Sequence, residues 1–301
     1  MTSIKNIEVD HLIGAKVGTS TIMKELGRGS MAIVFIAFQQ TLKRKIALKI
    51  LPKSLLTSTA SDRFQQEAEA AAILSHPNII PIYEVGESDE FLFMSMQLVQ
   101  VNDLYQYIRN AQKQIIPSRR ILPLSFSIQT IIQVLDGLGY AHSQDIVHRD
   151  IKPANILIEK HTKRPLISDF GMVKFVRGDE IGKTMILGTP IYMAPEQISK
   201  SDVDGRADLY AVGTMLFQMI VEKLPIPNYD SLKSLLKDKL KEKTGIFLKM
   251  PSQLNPDLNE NMDHIIQKAI AFDPAHRYAS SDEFIKALKL YQKNCLKEKE
   301  R

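Results

Sequence analysis

The chain has 301 residues, of which 44% are apolar and 24% charged, with a formal charge of +5. This is ordinary composition for a soluble globular protein with a substantial core, and so mild a basic excess is weak evidence for a nucleic-acid partner. One cysteine, Cys295, excludes an internal disulfide framework and fits a reducing compartment, so a cytoplasmic location is expected.

The first 16 residues carry charges throughout and hold no apolar core of signal-peptide length. No run is expected to approach the roughly 18 apolar residues of a membrane span. The longest apolar-rich stretch, 209–221, reads as a buried helix.

In chain order, residues 20–25, 33–38 and 45–51 are β-rich runs separated by a Gly-bearing turn and by 39–44. Residues 61–75 read as a helix that Asp62 can cap, with Phe64, Ala68, Ala71, Ala72 and Leu74 on its apolar side. His76-Pro77-Asn78 ends it. Strand runs follow at 79–86 and 91–99. Helical patterns then dominate, at 104–112, 125–143, 204–222, 230–243, 259–271 and 281–296, with 112–123 as an irregular surface loop. The change near residue 100 predicts a small β-rich lobe followed by a larger helical one.

Several segments carry chemistry. Gly27 and Gly29, between two strands, let backbone N–H groups approach phosphate oxygens, although a ligand-free hairpin would look the same. A Rossmann reading fails, because a strand follows where a helix is needed. Lys49 lies on an apolar strand, so an inward-facing ammonium needs a negative partner. Glu67 is the best candidate and Glu69 the alternative.

The segment His148-Arg149-Asp150-Ile151-Lys152-Pro153-Ala154-Asn155 is the most informative. Asp150 can accept a hydroxyl proton, Lys152 can neutralise charge on a transferred phosphoryl, and Asn155 offers a neutral oxygen to Mg²⁺, a hard cation. Asp169, in Asp169-Phe170-Gly171, supplies a carboxylate for the same metal.

Together these segments resemble the Hanks-type (eukaryotic-like) protein kinases, especially the bacterial serine/threonine subgroup. Glu25-Leu26-Gly27-Arg28-Gly29, Ala47-Leu48-Lys49-Ile50-Leu51 and His76-Pro77-Asn78-Ile79-Ile80 point to that subgroup, and the likeness covers about residues 20–294. The resemblance implies an α+β, bilobal protein-kinase fold. Its N-lobe (about 20–99) is β-rich with one main helix, its C-lobe (about 100–294) is helical, and an ATP cleft lies between them. Residues 1–19 would be an N-terminal extension and 295–301 a charged tail.

The same resemblance assigns catalytic roles to Lys49, Glu67, Asp150, Lys152 and Asn155. It assigns ATP contacts to Leu26, Gly27, Arg28, Gly29, Ser30, Val34, Ala47, Lys49, Met96, Gln97, Leu98, Asn155, Leu157 and Asp169. Met96 would be the gatekeeper, with the backbone of Gln97 and Leu98 on adenine. Asn155 and Asp169 would hold Mg²⁺, with Mn²⁺ as the substitute metal. Thr189 would position the acceptor, Glu196 would pair with Arg277, and Asp208 would anchor the catalytic-loop backbone.

Lys152 and Thr189 resemble their counterparts in serine/threonine kinases, so protein acceptors with Ser or Thr hydroxyls are expected. Nucleic-acid and membrane partners are not expected, and a transient homodimer would serve trans-autophosphorylation. Arg149 can bind a phosphorylated residue bidentately. Thr184 and Thr189 are the only Ser/Thr hydroxyls between Asp169 and Glu196, which singles out Thr184 as the regulatory site. Ala32 stands where the family has a third loop glycine, and Val101 and Asn102 stand where one is common after the hinge. Three rivals are a pseudokinase, a small-molecule phosphotransferase and a nucleic-acid module using the lysine-rich 231–243. The first conflicts with the complete set of acidic and basic residues, the second with the Gly-Thr-Pro to Ala-Pro-Glu segment. The lysine run reads as a solvated helix face.

Overall fold

The computed structural model describes residues 10–29, 32–55, 68–69, 71–99, 101–170, 190–199, 203–241 and 245–299. Among these, residues 10–99 with Phe170 form one compact unit, and residues 101–169 with 190–299 form a second.

The first unit is built on an antiparallel sheet. Its strands are β1 (Lys16–Val17), β2 (Ser20–Arg28), β3 (Ile33–Gln39), β4 (Arg44–Pro52), β5 (Ile82–Glu87) and β6 (Phe91–Gln97), in the spatial order β1-β2-β3-β4-β6-β5. A period of two assigns the faces. Ile33, Phe35 and Ala37 of β3 join Ile46, Leu48 and Ile50 of β4 in one core with Leu12, Val17, Ile22 and Phe93. Burying each large apolar side chain contributes about 1.5–3 kcal/mol. The register Val34↔Lys49↔Met94 and Ile36↔Ala47↔Met96 puts those residues on the opposite face.

The strand boundaries differ from expectation for local reasons. β2 continues past residue 25 to Arg28 through two register shifts, so Gly27 is a strand residue. β5 begins at Ile82 rather than 79, just after Pro81, which has no N–H to give a ladder. β6 ends at Gln97 rather than 99. Of the helix expected at 61–75, residues 68, 69, 71 and 72 are helical, and Glu67 lies outside the described residues.

The second unit holds a small sheet of β7 (Val101–Asp103), β8 (Ile156–Glu159) and β9 (Pro165–Ile167). Its helices are α1 (Leu104–Gln112), α2 (Leu124–Ser143), α3 (Pro195–Ser199), α4 (Arg206–Ile220), α5 (Leu232–Lys241), α6 (Glu260–Ala269) and α7 (Ser281–Lys299). Asp103 starts α1 by accepting the Gln106 N–H at 2.7 Å. The loop before α2 contains one tight helical turn, Pro117–Arg119.

Residues 117–143 are long and apolar enough to cross a membrane, contrary to the expectation that no run approaches that length. Here the apolar residues Ile128, Ile131, Val134, Leu135 and Leu138 are buried, and α2 packs on α4 and α7. α4 is the central helix, with all but Arg206 and Gln218 buried. Gly213 lets it cross α6 closely, since a Cβ there would lie 2.5 Å from the Ala269 methyl.

Candidate active site

The acidic segment 148–155 is closed by its own hydrogen bonds. Asp150 Oδ2 accepts from Lys152 Nζ at 2.6 Å and from Asn155 Nδ2 at 3.0 Å. Asn155 Nδ2 also donates to the Asp150 carbonyl at 2.8 Å. With its amide nitrogen turned to Asp150, Asn155 presents its side-chain oxygen as an acceptor. The turn Pro153–Asn155 sets this geometry: proline fixes φ at its first position, and the Asn155 N–H closes on the Lys152 carbonyl at 2.9 Å.

His148 ties this loop to the second acidic segment. Its Nδ1 accepts the Asp150 N–H at 3.1 Å, so Nε2 carries the ring proton and donates it to the Ser168 carbonyl at 2.8 Å. Ser168 returns its N–H to the Asn155 carbonyl at 2.9 Å. Asp169, the next residue, is thus brought to the same loop, and Ser168 Oγ lies 3.5 Å from its Oδ2. Arg149 and Asp169 both adopt left-handed backbone, with φ of 67° and 65°.

Asp208, 1% exposed on α4, holds the start of the loop. Its Oδ1 accepts the Arg149 N–H at 2.8 Å. Its Oδ2 accepts the His148 N–H at 2.9 Å and lies 2.8 Å from His142 Nε2. Gln197 of α3 adds a tie, donating Nε2 to the Arg149 carbonyl at 2.8 Å and accepting the Ala194 N–H at 2.9 Å.

Beneath residues 190–196 lie two buried cations. All five Arg277 donors are used: Nη1 and Nη2 bond Glu196 at 2.6 and 2.8 Å, and the carbonyls of Ala271, Arg206 and Phe272 take the rest. Lys239 of α5 is 2% exposed, so the expected solvated lysine face fails there. Its ammonium donates to the carbonyls of Pro190, Ile191 and Met193 at 3.1, 2.7 and 2.6 Å. The Tyr210 ring lies 4.9 Å from each cation. Burial lowers the Lys239 ammonium to about 7, Arg277 repulsion adds to the shift, and Glu196 opposes it. Burial also pushes the Tyr210 phenol up, so it stays neutral.

In the first unit, Val34, Ala47, Lys49 and Met96 share one sheet face. Gly29 donates its N–H to the Ala32 carbonyl at 2.8 Å. The Arg28 side chain is paired with Glu25 at 2.8 and 2.9 Å. Leu26 is exposed, and the Gln97 N–H is taken by Pro81 at 3.1 Å. Leu98 follows β6, and Leu157 is half-buried on β8 in the second unit. Ser30, Glu67, Thr184 and Thr189 lie outside the described residues. Sequence reasoning missed Gln197, Lys239 and the two histidines that tie the loop. A histidine opening an otherwise charged loop was the one available signal, since an imidazole can bond at both ends.

Residues 20–288 match the protein kinase domain family. The serine/threonine-protein kinase PrkC of Bacillus subtilis is 32% identical over 275 residues, covering 90% of this chain and 40% of PrkC. Serine/threonine-protein kinase PknF of Mycobacterium tuberculosis is 32% identical over 282 residues, covering 91% of this chain and 56% of PknF. The chain spans about half the length of these curated relatives. The crystal structure of the M. tuberculosis PknI kinase domain superposes with a TM-score of 0.72 at 27% identity, over 92% of this chain and 98% of that one. The fold is accordingly the bilobal kinase fold, with a β-rich and a helical lobe, and the chain belongs to the protein kinase domain family.

Proposed function

We propose that this chain is a serine/threonine protein kinase that transfers the γ-phosphoryl of ATP to hydroxyls of protein acceptors. The observation that carries the reading is the Asp150 carboxylate, held by Lys152 and Asn155 in a loop joined through His148 and Ser168 to Asp169. On this reading Asp150 orients the acceptor hydroxyl and takes its proton. The acceptor oxygen bonds the γ-phosphorus as the bond to the bridging oxygen breaks, and ADP leaves with that electron pair. Lys152 offsets charge on the transferred group, so catalysis is mainly positioning and charge stabilisation. Lys49, with Val34, Ala47 and Met96 on its sheet face, would contact the nucleotide.

Family membership carries ATP and divalent metal use, and Mg²⁺ is the metal proposed. The donor set fits it: Asn155 presents a neutral oxygen and Asp169 a carboxylate, hard ligands that leave room for nucleotide phosphates. Bound there, the metal would supply charge neutralisation at the phosphates. Incubation with radiolabelled ATP and myelin basic protein is expected to label the acceptor. EDTA should abolish the label and excess MgCl₂ restore it. An unlabelled acceptor and an unlabelled chain, with Mg²⁺ or Mn²⁺ at saturation, would defeat the proposal.

Thr184 is proposed as the regulatory phosphosite. The Nε of Arg149 is buried and has no hydrogen-bond partner among the described residues, which leaves a guanidinium donor suited to an anion. Thr184→Ala is expected to lower specific activity about tenfold, the loss of one or two charge-assisted hydrogen bonds. Mass spectrometry after Mg-ATP treatment should place phosphate on Thr184. Full activity of the variant would discard the switch.

A further inference from the structure

Lys239 stands out among the lysines of α5 because it is buried and its partners are main-chain carbonyls. An ammonium has three N–H donors, and here each meets a different carbonyl from four consecutive residues, 190–193. That arrangement turns three carbonyls inward toward one point. A neutral amine has one N–H fewer and a lone pair, so it could not satisfy all three. Without the cation each carbonyl would lose a buried donor, Pro190 keeping the Met193 N–H at 3.2 Å, and the segment would have to turn to replace the lost bonds. Arg277 cannot substitute, since its five donors are already committed.

The segment at stake follows directly on Thr189, read above as the acceptor-positioning residue. From this geometry we infer that Lys239 is a positioning residue for the protein acceptor, fixing the backbone shape of residues 190–193 through their carbonyls. The inference rests on the kinase reading. It separates acceptor handling from nucleotide handling, because Lys239 makes no hydrogen bond to Asp150, Lys152, Asn155 or Asp169.

Steady-state kinetics test it, with myelin basic protein as acceptor and at about pH 6.5, below the Lys239 value of about 7, so that the ammonium is populated. Lys239→Met is expected to raise the acceptor KM by about tenfold or more. Its kcat and ATP KM should stay within about threefold of native. Lys239→Arg, which restores a cation of similar reach, should recover most of the acceptor KM. A native acceptor KM in Lys239→Met overturns the inference. So does a joint loss in kcat, ATP KM and acceptor KM that Lys239→Arg does not repair, because that is general destabilisation. Should Lys239→Met fail to fold, the native protein decides by NMR of its lysine ammonium groups. The signal missing from Lys239→Arg should shift on adding acceptor and stay put on adding a non-hydrolysable ATP analogue; no shift at saturating acceptor overturns the inference. Native protein that labels neither the acceptor nor itself would instead overturn the kinase reading.

Discussion

Asp150→Asn is expected to lower phosphoryl transfer by at least about a thousandfold while nucleotide still binds. General-base assistance alone is worth about 10²–10⁴ in rate, and this substitution removes both the base and its charge. The shape of the side chain is kept, so the fold should survive. The hydrogen bonds are not kept without conflict. Oδ2 accepts from both Lys152 and Asn155, so an amide must offer its oxygen there and point NH₂ to where the acceptor hydroxyl would sit. Transfer to myelin basic protein measures the loss, and calorimetric titration with Mg-ATP checks binding. Near-native transfer by the variant would remove Asp150 from the role.

Arg277→Ala should be the most damaging substitution for stability. The Arg277 side chain is fully buried and Glu196 is 8% exposed. Removing the guanidinium takes both charge-assisted bonds from the buried Glu196 carboxylate and one donor from each of three carbonyls, and breaking such a pair from one side costs about 3–5 kcal/mol. For a chain of this size the melting temperature should fall by roughly 5–8 °C, readable by differential scanning calorimetry. Glu196→Gln should cost less, because the amide oxygen still accepts one bond and the arginine retains three carbonyls. The two residues should couple strongly in a double-mutant cycle, as contacting residues of one network do. An unshifted melting point in Arg277→Ala would show that the pair is replaceable.

Much of this architecture was legible because it is periodic. The β-rich runs at 33–38 and 45–51 found β3 and β4, and the apolar repeat in 125–143 found α2. What was illegible is short or non-local. β1 and β7 span two or three residues, too few for a period to show. The short strand β8, at 156–159, formed because it pairs on both sides with β7 and β9. Lys239 was read as one of several solvated lysines, since nothing local marks it; its partners lie 46–49 residues away. Asp150 and Asn155 were read as one unit because they lie five residues apart in one loop. The connection through His148 and Ser168 was not read, because it depends on which ring nitrogen faces which segment.

The left-handed backbone at Arg149 and Asp169 sets durability against work. A side chain held there costs about 1–2 kcal/mol that glycine would not incur. Selection for heat tolerance alone would therefore reward glycine at both positions and erode the acidic and basic groups that flank Asp150. An engineering campaign that screens melting temperature without a turnover assay would drift toward a sturdier, silent protein at these two positions first.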